Sequence, residues 1–217
     1  MKTLILSVVL SVLLLGCTER EKPAVKPAAA KPLGDATAGK VIAERDCKAC
    51  HGLDGRGVAP GIPHLAAQRE RYLLLALTEY KEVKRTHAAL RELAGRLTEQ
   101  DLRNVVAYYA SQPAVPAALE RGAQQASLLE KGQALAAACV KCHGEEGNSR
   151  TPGIPSLAGQ QPQYFVTAVQ EYHRGERRTP AMESMLRDAT RLELESLALY
   201  FASRTPAQRS APPRGDT

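Results

Sequence analysis

Two stretches of this 217-residue chain overlie one another when shifted by 92 residues, with no gap across the segment that matters. Cys47, Cys50 and His51 meet Cys139, Cys142 and His143; Gly55 meets Gly147; Gly61-Ile62-Pro63 meets Gly153-Ile154-Pro155. Leu65, Ala66 and Gln68 fall on Leu157, Ala158 and Gln160, Tyr72 on Tyr164, Glu79-Tyr80 on Glu171-Tyr172, Arg85 on Arg177, and Tyr108 on Tyr200. A period near 90 present in two copies describes two domains rather than a stacked array. The boundaries follow: residues 36–111 form the first domain and 128–205 the second. A linker over 112–127 carries Pro113 and Pro116, and 206–217 forms a loose polar tail.

Neither copy contains an alternating apolar pattern, so the expectation is all-helical. Arg69 to Lys81 and Thr98 to Ala110 read as amphipathic helices. Thr98 with Asp101, and Thr190 with Glu193, are spaced as capping boxes. A short helical pattern leads through Val41, Ile42 and Arg45 to Cys47, and a glycine-rich loop, Gly52 to Gly61, follows.

The repeated unit CKACH and CVKCH is the attachment signature of c-type haem. Each thiol can add to one vinyl group of the porphyrin, and the adjacent histidine is placed to ligate iron. Four of the five cysteines, Cys47, Cys50, Cys139 and Cys142, are consumed in this way, with His51 and His143 as proximal ligands. Two covalent haems would also supply apolar mass to units that are small and have no Trp and only two Phe between them. A zinc site built from the four cysteines fits poorly, because the pairs lie too far apart and both histidines would go unexplained.

Cys17 is left over, and its position accounts for it. Met1 and Lys2 precede an apolar run, Leu4 to Leu15, too short to span a bilayer, which makes residues 1–16 a signal peptide. Leu14-Leu15-Gly16-Cys17 resembles a bacterial lipobox, which implies a lipidated Cys17 as the first mature residue. Residues 17–35, rich in Pro, Ala and Lys, read as a tether that holds the first domain off a membrane. The net charge of +6 is too mild and too dispersed for a nucleic-acid footprint. No Ser/His/Asp set, phosphate loop or paired carboxylate points to other catalysis.

The order CxxCH, GIPxLAxQ, an aromatic-bearing helix, an arginine, a ligand loop and a last helix resembles class I cytochromes c. The tandem arrangement is similar to the dihaem cytochrome c-four type over about 170 residues, Ala36 to Thr205. The resemblance implies two cytochrome c domains packed face to face, each with one haem c, passing electrons in the bacterial periplasm. It also implies that Pro63 and Pro155 orient the proximal imidazoles.

The family pattern puts a methionine ligand in the loop before the last helix, and there the two copies part. Met182 fits this position, with Met185 as runner-up. The same shift puts Leu90 opposite Met182 and Leu93 opposite Met185, so the first haem has no methionine of its own. His87, three residues before Leu90, is the best-placed substitute; water or an open iron is the alternative. A bis-histidine iron has a lower potential than a histidine–methionine iron, and electrons would run from first to second. Arg85 and Arg177 are candidate partners of the haem propionates, or solvated arginines. Tyr72 and Tyr164 read as core near haem, and His173 as a surface residue at a helix end.

The expected function is a membrane-tethered periplasmic electron carrier with two haem c groups and protein redox partners. The expectation leans to a carrier over an enzyme and leaves the enzyme reading open. The alternative is a redox enzyme or small-ligand sensor that uses an open first haem and the second haem as relay.

Overall fold

The structure is a computed structural model that describes residues 32–119 and 122–208. The segments read as signal peptide and tether, up to residue 31 and including Cys17, together with residues 120–121 and the end of the chain from residue 209, lie outside the described residues. Among those described, the secondary structure is helical, with no strands. The fold expected from the sequence is therefore the fold observed, as two units with the same helix order.

In the first unit α1 spans Ala36–Ile42, α2 Lys48–His51, α3 Glu70–Lys81, α4 Ala88–Arg96 and α5 Glu99–Ser111. In the second, α6 spans Ala123–His143, α7 Pro162–His173, α8 Pro180–Leu186 and α9 Arg191–Ala202. Each unit is closed by its first and last helices, α1 on α5 and α6 on α9.

A glycine lets each of these pairs approach. A Cβ on Gly39 would lie 1.9 Å from the Asn104 carbonyl oxygen, and one on Gly132 would lie 2.1 Å from that of Ser196. Asn104 and Ser196 are equivalent under the 92-residue shift, but Gly39 and Gly132 differ by 93. The first unit thus has one extra residue between its glycine and its first cysteine. A π-helical turn, Ala43–Cys47, takes up that residue between α1 and α2, whereas α6 runs unbroken through the second motif.

Both predicted capping boxes are present. Thr98 and Asp101 open α5, and Thr190 and Glu193 open α9, each with reciprocal side-chain-to-backbone bonds. The segment expected as a ligand loop is instead a short helix in each unit. His87 caps α4 by accepting the Leu90 N–H at Nδ1, 3.3 Å away, and Pro180 occupies the first turn of α8, where its missing N–H costs nothing.

The core of the first unit gathers Ile42, Leu73, Leu97, Leu102, Val105, Val106, Tyr108 and Tyr109. In the second unit the buried residues fall into two groups, Ala136, Leu197, Tyr200 and Phe201, and Val169, Leu186 and Leu194, bridged by the partly buried Phe165. The two cores hold the loop after the motif differently. Tyr108 and Tyr109 donate to the carbonyls of Leu53 and Gly52, at 2.9 and 3.0 Å. Phe201, opposite Tyr109, has no hydroxyl and stacks on Phe165 with ring centres 5.9 Å apart.

Candidate haem sites and the junction between them

Each CxxCH sits at the end of a helix that stops at a glycine of positive φ, Gly52 at 64° and Gly144 at 81°. The chain then folds back on a second such glycine. Gly55 accepts from Leu65 N (2.8 Å), and Gly147 from Leu157 N (2.7 Å). This turn carries Pro63 and Pro155 over the histidines. His51 Nδ1 is 3.1 Å from the Pro63 carbonyl oxygen, and His143 Nδ1 is 2.8 Å from that of Pro155.

A carbonyl can only accept, so Nδ1 carries the proton and Nε2 keeps its lone pair for a metal. Burial also pushes both imidazoles below their ordinary pKa, which keeps the rings neutral. The four motif cysteines are free thiols; Cys50 and Cys142 are exposed, and Cys47 and Cys139 are partly buried. Burial, with help from Asp46, lifts the Cys47 thiol to about 11, and burial raises Cys139. A neutral nitrogen aimed by its carbonyl partner, beside two unpaired thiols, fits covalent haem in both units.

The remaining sequence-derived residues lie as follows. Met182 is partly buried and packs on the group of Val169, Leu186 and Leu194, whereas Met185 is 46% exposed. Leu90 is half-buried on α4. His87 is exposed at the start of α4, with its ring edge-on to Tyr80 at 6.2 Å, and its charge helps depress the His51 pKa. His173 is exposed at the end of α7, and its Nε2 donates to the Leu186 carbonyl at 2.6 Å.

Arg85 and Arg177 are not solvated; they are 6% and 4% exposed. Arg85 pairs with Glu79 and lies over the Tyr72 ring, 5.6 Å from its centre. Arg177 does the same with Glu171 and Tyr164, and also donates to the Tyr164 hydroxyl at 3.2 Å. Burial works against both charges, but the tyrosines and glutamates outweigh it and raise both guanidinium pKa values. Burial alone would raise the Tyr72 pKa; Arg85 and Arg177, one from each unit, hold it below its ordinary value. Tyr164 goes the other way, raised by burial. The four residues thus meet at the junction of the units.

Sequence reasoning missed the rest of that junction. Gln160 accepts the His64 N–H at Oε1 (2.8 Å) and donates to the His64 carbonyl from Nε2 (3.0 Å). Gln68 makes the same pair of bonds to Ser156, at 2.8 and 2.9 Å. Since 64 and 156, like 68 and 160, are 92 residues apart, the contact is isologous, as across a twofold axis. The recurrence of Gln in both copies of GIPxLAxQ was the available signal. Gln161 adds bonds to the carbonyls of Gly57 and Ala59, both at 3.2 Å. His64 itself is buried. Its Nδ1 accepts the Gly57 N–H at 3.1 Å, and burial, then the charge of Arg56, pushes its pKa down to about 4.

Two helical units, each with a free CxxC pair and a histidine aimed by a proline carbonyl, define a protein built to carry two covalent haem groups. A family model described as Cytochrome c matches residues 36–112 and 129–194, and the chain belongs to the cytochrome c family. It is 34% identical to cytochrome c4 of Pseudomonas aeruginosa over 182 residues, covering 77% of this chain and 88% of that protein. It is 35% identical to cytochrome c4 of Azotobacter vinelandii over 180 residues, covering 76% and 85%. The crystal structure of reduced recombinant cytochrome c4 from Pseudomonas stutzeri superposes with a TM-score of 0.70 at 28% identity, covering 79% of this chain and all of that one. Two covalent haem c groups, at Cys47 and Cys50 and at Cys139 and Cys142, are the cofactors of this family arrangement.

Proposed function

We propose that the chain is a dihaem electron carrier of the bacterial periplasm, anchored by a lipid on Cys17, that exchanges electrons with protein redox partners. The observation that carries this reading is the doubled site: the same histidine, held by the same proline carbonyl beside the same two cysteines, at 3.1 and 2.8 Å. Each bound haem supplies a one-electron iron couple. The residues of the chain hold it, orient it and set its environment.

Cys47, Cys50, Cys139 and Cys142 form the thioether bonds, and His51 and His143 are the proximal ligands. Met182 serves as the sixth ligand in the second unit; its partial burial against the Val169 group, set against the exposure of Met185, favours it. His87 serves in the first unit. Its proximity to His51 supports this. Ligation through Nε2 puts the ring proton on Nδ1, so the 3.3 Å cap to the Leu90 N–H must be given up. Arg85 and Arg177 offer their remaining donors to haem carboxylates at the junction. The domains are residues 36–111 and 128–205, joined by 112–127, within which α6 of the second unit already begins at Ala123, and tethered by 17–35.

The test is haem content and redox titration of the holoprotein. Two covalent haems per chain, titrating as two one-electron steps, are expected; a chain with one haem or none defeats the reading. Cys17→Ser should move the protein from the membrane to the soluble periplasmic fraction. Unchanged membrane retention removes the lipid anchor.

A further inference from the structure

We propose that Gln160 and Gln68 are positioning residues that set the reduction potential of the haem in the opposite unit. The inference rests on the reading of His51 and His143 as axial ligands.

The link is a single peptide group. The Pro63 carbonyl accepts the His51 Nδ1 proton, and the N–H on the other side of that same peptide bond, that of His64, donates to Gln160 Oε1. In the second unit the Pro155 carbonyl accepts from His143, and the N–H of the same peptide, that of Ser156, donates to Gln68 Oε1. Each proximal histidine is thus one peptide away from a glutamine of the other unit.

The amide orientation is fixed on both sides. Gln160 Oε1 also accepts the Gln161 N–H at 2.9 Å, and Gln68 Oε1 accepts the Arg69 N–H at 2.8 Å, while both Nε2 groups donate to carbonyls. Gln68 and Gln160 are 7% and 8% exposed, so water does not compete for these bonds.

Hydrogen bonds in series through one peptide polarise one another. An acceptor at the His64 N–H makes the Pro63 carbonyl more negative and strengthens its hold on the His51 proton. The imidazole then becomes a stronger donor to iron, which favours the oxidised state and lowers the potential. Removing Gln160 therefore acts on the first haem, although Gln160 belongs to the second unit. Gln68 acts on the second haem in the same way. The junction that joins the units is also the outer shell of both irons.

The holoproteins of Gln160→Leu and Gln68→Leu test this by spectroelectrochemical titration, with the far-red thioether band marking the second haem. In Gln160→Leu the reduced-to-oxidised ratio of the first haem at fixed potential is expected to rise about tenfold, or about 59 mV for one electron, with the second haem little changed. Gln68→Leu should do the reverse. In the reduced, diamagnetic protein, the Nδ1 proton resonance of His51 should move upfield in Gln160→Leu while that of His143 stays in place. Gln160→Glu, which keeps an acceptor for the His64 N–H, should leave the first haem at or below its original potential.

Equal shifts of both haems in each variant, a shift in the haem of the substituted unit, or a rise in Gln160→Glu equal to that in Gln160→Leu overturns the proposal in favour of simple loosening of the junction. Failure of the underlying haem reading is distinguishable, because the unsubstituted protein would then lack two titrating haems.

Discussion

Val83 and Gly175 occupy the same left-handed turn at the end of equivalent helices, with φ of 62° and 70°. Glycine adopts that conformation freely; a β-branched residue does so against a steric cost of roughly 1–2 kcal/mol. Val83 gains nothing in return, being 61% exposed. Val83→Gly is expected to stabilise the 217-residue protein by about 1 kcal/mol, read as a rise of about 2–4 °C in Tm. A lower Tm would mean that the turn holds Val83 through contacts of its own.

The glycines at the helix crossings give the opposite sign. An added Cβ at Gly132 would sit 2.1 Å from the Ser196 oxygen and 2.8 Å from the Tyr200 Cβ, so α6 must move off α9. Gly132→Ala should cost about 2–3 kcal/mol in a denaturant melt. Gly95, inside α4, has nothing within 4 Å of its would-be Cβ, and Gly95→Ala should gain about 0.5–1 kcal/mol from helix propensity alone.

His64 should make the junction acid-sensitive. Its folded pKa, near 4, lies below the ordinary value of about 6.5, so the unfolded chain takes up the proton first. Its contribution is intact above about pH 6.5 and is lost as pH falls from there towards 4. His64→Asn keeps an acceptor for the Gly57 N–H and does not titrate. The gap between the urea stabilities of wild type and variant should therefore narrow, or reverse against the wild type, as pH falls from 7 to 4; a constant gap would show that His64 does not lose its proton on folding.

The sixth position of the first iron can be exchanged. His87→Ala should convert half of the total haem to a high-spin form that binds carbon monoxide when reduced. Leu90→Met in that background puts a thioether opposite Met182's own position and should restore a low-spin spectrum with a stronger far-red band and a higher first potential. An unchanged spectrum in His87→Ala would remove His87 from the iron.

Local features were legible in the sequence because their partners lie within a turn. The capping boxes Thr98–Asp101 and Thr190–Glu193 and the helices that they open are of this kind, whereas the approach of Pro63 to His51, twelve residues away, was implied only by the family resemblance. Gln68 and Gln160 were visible only as a repeated letter, since their role depends on how the copies face each other, which no periodicity encodes. The burial of Arg85 and Arg177 was hidden for a related reason: it depends on how the tyrosines and glutamates beside them fold together, which spacing alone does not encode. The short helices at Ala88–Arg96 and Pro180–Leu186 lacked a long apolar stripe and so read as loop. The π turn did leave a trace, in the change of shift from 92 at the cysteines to 93 at Gly39 and Gly132.

That turn has a consequence for how duplicated halves can drift apart. One residue inserted into a regular helix turns everything beyond it by about 100° and advances it by about 1.5 Å, which would swing a porphyrin attachment point away from its pocket. Widening a single helical turn confines the insertion to Ala43–Cys47, so the glycine crossing before it and the thiols after it keep their separate registers. A length change in one copy is thereby made invisible to the metal.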